Sequence, residues 1–148
     1  MFVLYYDEVK YDPPAQDSFW LGGIALRMAD VPDVESRMNT ISNRLFGTSQ
    51  LIKETEFHGI DICRGKGNFK GRPLHERLDI LNELLGILTS ETIERLYVRI
   101  IPGNITHSSK PPEEIAFMYF AEMANEIFKE NDTVGMLFGD YDEPVIGT

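Results

Sequence analysis

The sequence predicts an α/β fold, with a mixed sheet of about five strands flanked by about three helices. Short apolar runs rich in aromatic and β-branched residues alternate with longer segments whose apolar residues recur at helical spacing. At 148 residues, the chain is long enough to bury one sizeable core and short for two. We therefore expect a single domain over residues 1–148.

Five segments are predicted as strands. Residues 2–7 are apolar and aromatic, and residues 18–28 are expected to pair with them as a wide hairpin, in which Gly22 and Gly23 mark a bulge or close packing. Residues 53–60 are predicted as an edge strand because their polar residues alternate along the chain. Two further apolar runs complete the predicted sheet: residues 93–101 and 134–139.

Three segments are predicted as helices. The first covers residues 30–46, where Asp30 can cap the helix and Gly47 ends it. The third covers residues 111–129 and is expected to be well covered, because it is apolar on much of its circumference. The second covers residues 73–89 and is expected to bury five leucines: Leu74, Leu78, Leu81, Leu85 and Leu88.

The composition predicts a cytoplasmic protein without membrane association. No apolar run is long enough to span a bilayer, and the N-terminus lacks the basic lead of a signal peptide. The single cysteine, Cys63, suits a reducing compartment. The formal net charge of −10 opposes nucleic acid binding unless metal ions or a local basic patch reverse the field. The sequence leaves open whether the chain forms a homo-oligomer.

Acidic residues gather in three places. Asp7 and Glu8 follow the first predicted strand, and Asp140 follows the last one, with Asp142 and Glu143 close behind it. If these two strands lie side by side, Asp7 and Asp140 can reach one Mg²⁺ or Mn²⁺ ion, since carboxylate oxygens are the ligands that these ions prefer. The alternative is that such strand-end aspartates cap turns.

The third acidic place is the predicted edge strand, where Glu54, Glu56 and His58 would share one side, with Asp61 close behind. His58 can serve as a general base or metal ligand, because imidazole titrates near neutrality. The alternative is a hydrogen-bonded histidine on a half-exposed strand.

A basic, glycine-rich loop over residues 64–72 stands out in this acidic chain. Glycines let backbone amides approach a phosphate, which basic side chains would then hold. A solvated hairpin is the other interpretation, and the Gly-Lys-Ser/Thr of a nucleotide-binding loop does not occur in it. The predicted substrate-binding residues are its four cations: Arg64, Lys66, Lys70 and Arg72.

These residues together resemble the bacterial family called domain of unknown function 3800. The similarity rests on Tyr6-Asp7-Glu8, on Leu21-Gly22-Gly23 and on Glu56-Phe57-His58-Gly59 before Asp61. It continues through Phe69 and Arg77-Leu78 to the final strand that leads to Asp140. The resemblance implies a ribonuclease H-like fold with a metal-dependent nuclease site, in which Asp7 and Asp140 bind the metal.

The chain departs from the family pattern in two ways. The usual Asp-Glu-Ser/Thr-Gly turn is replaced by Asp7-Glu8-Val9-Lys10, which changes the expected turn geometry. Family members are also typically longer, so the resemblance predicts that a C-terminal helix carrying a further acidic ligand is missing. The site would then be incomplete, or completed by a second subunit.

The leading hypothesis is a Mg²⁺- or Mn²⁺-dependent phosphodiester hydrolase that acts on nucleic acid. Asp7, Glu8 and Asp140 would bind the metal, Glu56 and His58 would act in catalysis, and the loop over residues 64–72 would meet the nucleic acid backbone. The alternative is a catalytically silent acidic module that binds a protein partner. A metal-dependent phosphatase for a small phosphoester is a third hypothesis.

Overall fold

The computed structural model describes residues 1–140, which form an α/β fold with a mixed four-stranded sheet and four helices. Asp142 and Glu143 lie outside the described residues. The strands are β1 (Phe2–Val9), β2 (Phe19–Arg27), β3 (Glu94–Ile100) and β4 (Gly135–Gly139). The helices are α1 (Val31–Phe46), α2 (Gly59–Arg64), α3 (Leu74–Leu88) and α4 (Pro112–Glu130).

The chain divides into two compact units. The first unit comprises Met1–Met28 and the described residues from Thr92 onward, and the second unit is Ala29–Glu91. The second unit is therefore an insertion between β2 and β3. Across residues 1–140, no helix combines the length and the apolar character that crossing a membrane requires.

The sheet belongs to the first unit and has the strand order β3-β2-β1-β4. β1 and β2 are antiparallel, which confirms the predicted hairpin, and β2 and β3 are also antiparallel. β4 lies on the other side of β1 and runs parallel to it. A parallel neighbour needs a crossover connection, which here passes through α4.

The core of the first unit lies between α4 and one face of the sheet. Phe120 of α4 is fully buried there, beside the small residues Ala116 and Ala124. Gly23 lets this helix approach β2, because a Cβ at Gly23 would lie 2.7 Å from Phe120 Cζ. The predicted close packing is therefore found at Gly23, whereas a Cβ at Gly22 would meet nothing within 4 Å.

The prediction that α4 is well covered was wrong. The sheet covers only the stripe of α4 that carries its small residues and Phe120, and four large apolar side chains elsewhere on the helix are exposed. They are Phe117, Met118, Tyr119 and Met123.

In the second unit, α1 ends as the sequence predicts. Gly47 adopts a left-handed conformation with φ 73°, and its N–H donates to the carbonyl of Asn43. Asp30 occupies the predicted capping position, but its side chain makes no capping hydrogen bond.

The predicted edge strand over residues 53–60 was wrong, and within residues 1–140 the sheet has four strands rather than five. Lys53–Thr55 form a 3-10 turn, which the Thr55 hydroxyl closes by donating to the carbonyl of Gln50 at 2.6 Å and accepting from the Ile52 N–H. The chain stays extended only briefly before α2 begins at Gly59. Local hydrogen bonds therefore replace the strand ladder in this segment.

The loop over residues 64–72 is anchored at its centre. Phe69 is fully buried in a cluster with Ile62 and Ile80. The Arg77 guanidinium donates to the carbonyl groups of Ile62, Cys63 and Arg72. This donor group satisfies backbone acceptors at the end of α2 and holds the loop against α3.

The buried side of α3 differs from the predicted leucine stripe. Ile80 and Ile87 are buried, whereas Leu74, Leu78 and Leu85 are each exposed by at least 45%. The helix has apolar residues on two adjacent sides, and packing selects the side that carries the isoleucines.

Candidate functional site

The register of β1 and β4 places two aspartates side by side. The β1–β4 pairs run from Phe2–Gly135 to Tyr6–Gly139, and the next residues are Asp7, within β1, and Asp140, directly after the end of β4. Because neighbouring strands lie about 4.8 Å apart, the backbones at these aspartates are separated by about 5 Å. The sequence predicts that Asp7 and Asp140 can share one ion if their strands are neighbours, and the structure meets that condition.

Alternation along both strands directs the two aspartates to the face of the sheet opposite α4. Tyr6 faces α4, since its ring centroid lies 5.5 Å from that of Phe120. Tyr5 faces the other way and stacks on Phe138, with centroids 5.4 Å apart. Residues two apart in a strand share a face, so each aspartate lies on the same face as one ring of this stacked pair. We call this face the open face.

Gly139 fixes the end of β4 against Tyr6. A Cβ at Gly139 would lie 2.5 Å from Tyr6 Cζ, so a glycine is required for the ring to lie over the strand. The same ring packs on Phe120. Packing on the α4 side of the sheet therefore sets the position of Asp140, whose side chain is exposed.

Glu8, the third predicted metal ligand, points away from the open face. It follows Asp7 in β1, so alternation turns its side chain to the other face, where its carboxylate lies 3.6 Å from Lys10 Nζ. Its backbone N–H donates to Asp7 Oδ1 at 2.8 Å. The contact of Glu8 with the aspartate pair is therefore made by its backbone, which orients the Asp7 carboxylate.

A trough lies beside Asp7 on the open face. In the sheet register Asp7 pairs with Gly22, and Gly22 pairs with Tyr97. Because Gly22 has no side chain, the trough has its floor at Gly22 and its walls at Asp7 and Tyr97. Its volume is about 430 Å³, and the rest of its lining is Glu8, Val9, Gln16 and Trp20.

Arg99 is held at the rim of the trough. Its guanidinium lies 5.2 Å from the Trp20 ring centroid, and its Nε–H donates to Ser18 Oγ at 2.8 Å. The Ser18 hydroxyl in turn donates to Asp17 Oδ1 at 2.7 Å. This hydrogen bond, together with the charge of Arg99, lowers the pKa of Asp17 below its ordinary value of 3.8.

The aspartate pair has the donor chemistry for Mg²⁺ or Mn²⁺. Two carboxylates on neighbouring strands repel each other, and a cation between them removes that repulsion. Magnesium keeps several of its waters and often binds through one or two carboxylates plus substrate phosphates, so two ligands are enough for such a site. Among residues 1–140, no group of three or more His, Cys, Asp or Glu residues could hold a metal ion.

Glu56 and His58 belong to the second unit, where they line a depression of about 280 Å³ with Asp61. His58 Nδ1 lies 3.4 Å from Asp61 Oδ2, and the His58 side chain is well exposed. The backbone carbonyl of Glu56 accepts a hydrogen bond from Asn68. The structure brings these residues together through the turn before α2 rather than by alternation along a strand.

The four cations of the basic loop have different environments. Arg64, Lys66 and Lys70 are exposed, while the Arg72 guanidinium donates to the carbonyl of Leu45 at 2.9 Å. Arg72 is therefore partly committed to holding the loop on α1, and the other three can meet a ligand.

The sequence reasoning did not identify the trough residues Trp20, Gly22 and Tyr97 as part of a site. Alternation along residues 18–28 could have placed Trp20 and Gly22 on one face. Their position beside Asp7, and that of Tyr97 across from it, depends on the registers of β2 with β1 and β3.

Comparison with known protein families, with curated proteins and with solved structures gave no match to this chain.

Proposed function

We propose that this chain is a Mg²⁺- or Mn²⁺-dependent phosphodiester hydrolase of ribonuclease H-like fold that acts on nucleic acid in the cytoplasm. The observation that carries the proposal is the parallel pairing of β1 with β4, which makes Asp7 and Asp140 neighbours on the open face. The family resemblance assigns metal binding to the same two residues.

In this proposal Asp7 and Asp140 hold the ion. A bound divalent cation would neutralise charge that develops on a phosphodiester and would lower the pKa of an attacking water. The Glu8 N–H would keep one Asp7 oxygen oriented, and the packing of Gly139 on Tyr6 would keep Asp140 in register. The catalytic roles of Glu56 and His58 stay predictions.

Metal binding should be measured first, because it does not depend on knowing the substrate. We expect Mn²⁺ titration by calorimetry to show binding that is weakened about 10- to 100-fold or more in Asp7→Asn and in Asp140→Asn, since loss even of a residue that supports a ligand has that effect. Glu122→Gln, which removes an exposed carboxylate on α4, is the matched control and should bind like the wild type.

A thermal measurement provides an independent readout. An ion that binds the folded chain but not the unfolded chain raises the free energy of unfolding by about 2.7 kcal/mol when its concentration is 100 times its dissociation constant. The melting temperature should therefore rise with Mn²⁺ in the wild type and in the control, and should rise much less at the same Mn²⁺ concentration in Asp7→Asn. Equal Mn²⁺ affinity in all four proteins, with no metal-dependent cleavage of DNA or RNA, would reject the proposal.

A second candidate is a silent acidic module that binds a protein partner. It is favoured by the exposed apolar side of α4, where Phe117, Met118, Tyr119 and Met123 would be available to a partner. The net charge of −10 fits such a role as well. A folded wild type that gives no heat with Mn²⁺ would favour this candidate.

A further inference from the structure

The trough beside Asp7 has an exposed aromatic wall. Tyr97 is 68% exposed, although it lies in the middle of β3, and its ring centroid is 6.1 Å from that of Trp20. A second aromatic pair, Tyr5 with Phe138, lies on the same open face, and both of these rings are more than 40% exposed. Exposed rings on both sides of an aspartate can stack on a flat ligand.

The charges on β3 favour an anionic ligand. Arg95, Tyr97 and Arg99 alternate along this strand, so all three lie on the open face, and both arginines are exposed. A guanidinium therefore lies on each side of the tyrosine. In a chain with a net charge of −10, the two arginines form a local basic row, which nucleic acid binding requires, although Arg99 also lies 3.4 Å from Asp17 Oδ1.

The dimensions of the trough suit one planar group. Strands lie about 4.8 Å apart, so the backbones of β1 and β3 are separated by about 10 Å across Gly22. A Cβ at Gly22 would meet nothing within 4 Å, which leaves the floor open. A ring that enters the trough can lie against Tyr97 while its substituents point toward Asp7.

We propose that the trough binds an unpaired nucleobase of single-stranded nucleic acid, with the base on Tyr97 and the adjoining phosphates at Arg95 and Arg99. This inference rests on the proposed function and names its substrate class. A base within a duplex already stacks on its neighbours, and only an unpaired base is free to stack on a protein ring.

The single tryptophan of the chain makes this binding measurable. Trp20 lines the trough, so its fluorescence reports directly on the site. We would titrate the protein with a 15-nucleotide oligothymidine, a 15-nucleotide oligouridine and a 15-base-pair DNA duplex, in EDTA and at low salt. We expect either single strand to quench Trp20, and the duplex to bind more weakly than both.

Tyr97→Ala is the decisive variant. Loss of one base stack should weaken single-strand binding about 5- to 150-fold. Tyr119→Ala removes another exposed tyrosine from α4, on the other side of the sheet, and should leave the affinity unchanged. Arg95→Gln should weaken binding of both single strands and reduce its dependence on salt. Anisotropy of end-labelled oligonucleotides checks the same affinities without using Trp20.

The outcomes separate this inference from the proposed function. In EDTA, Asp7→Asn should bind single strands at least as tightly as the wild type, because it removes a negative charge, although it should lose Mn²⁺ affinity. Binding of oligouridine, of oligothymidine or of both more tightly than the duplex supports the inference. Equal binding of duplex and single strand, no binding of any oligonucleotide, or an unchanged affinity in Tyr97→Ala would each overturn the inference, whatever the metal titration gives.

Discussion

Two consecutive glycines in β2 provide a sharp test of the packing. A Cβ at Gly23 would lie 2.7 Å from Phe120 Cζ and 2.7 Å from the backbone carbonyl oxygen of Tyr5. The ring can move, but the carbonyl belongs to the neighbouring strand of the ladder and cannot move without disturbing it. A Cβ at Gly22 would meet nothing within 4 Å.

The expected magnitudes follow from these distances. Overpacking of a well-ordered core costs about 1–3 kcal/mol. Replacing glycine by alanine within a strand stabilises the folded state by about 0.5–1 kcal/mol, because alanine loses less backbone entropy on folding. Gly23→Ala should therefore lower the free energy of unfolding by up to about 2.5 kcal/mol. Gly22→Ala should leave it unchanged or raise it by up to about 1 kcal/mol.

Urea denaturation followed by circular dichroism measures both variants under the same conditions. The midpoint should fall in Gly23→Ala and stay level or rise in Gly22→Ala, with an unchanged dependence on urea in both. The packing of α4 on β2 would be refuted if the two variants lost the same stability, or if Gly22→Ala were the less stable protein. Gly22→Ala also narrows the trough, so it should weaken oligonucleotide binding while the fold is kept.

Three further outcomes are expected. Phe120→Ala should lose about 3–5 kcal/mol in urea denaturation, because its ring is fully buried, whereas Tyr119→Ala on the exposed side of α4 should lose much less; equal losses would contradict the described core. Asp17→Asn should be less stable than the wild type above pH 3.8. The stability difference between wild type and variant should shrink as the pH falls below 3.8, because Asp17 becomes protonated in the folded protein as the pH passes through its lowered pKa. A difference in urea midpoint that is the same at pH 7 and at pH 3 would contradict this prediction. Gly139→Ala should weaken Mn²⁺ binding in calorimetry by displacing the end of β4 from Tyr6, and unchanged affinity would show that this contact does not position the site.

Local signals in the sequence were enough to predict much of the first unit and the start of the second. The β1–β2 hairpin follows from two apolar runs around a proline-containing loop, and the end of α1 follows from Gly47. In both cases the residues that specify the structure are close together in the sequence. From the sequence, Asp7 and Asp140 could be predicted to be neighbours only if β1 and β4 pair. That pairing joins the two ends of the described chain, and no local signal in the sequence specifies it.

The failures arose where tertiary packing decides between equivalent patterns. The alternation around Glu56 is compatible with a strand, but Phe57 packs on Phe46 and Phe69, and local hydrogen bonds close the preceding turn. In α3, leucines and isoleucines mark two adjacent sides of one helix, and periodicity alone cannot choose between them. The trough could not be predicted because it is formed where a side chain is missing, at a position that only the strand registers define.

The central position of β1 has a consequence for the order in which the parts of the sheet can assemble. Its pairing with β2 joins segments that are close in the chain, while its pairing with β4 joins segments separated by nearly the whole described length. Contacts of such high sequence separation form late, because the entropy of closing a long loop opposes them. During synthesis the hairpin can form early, whereas the aspartate pair cannot exist until β4 has been made. A nascent chain would therefore lack the assembled aspartate pair until β4 has left the ribosome.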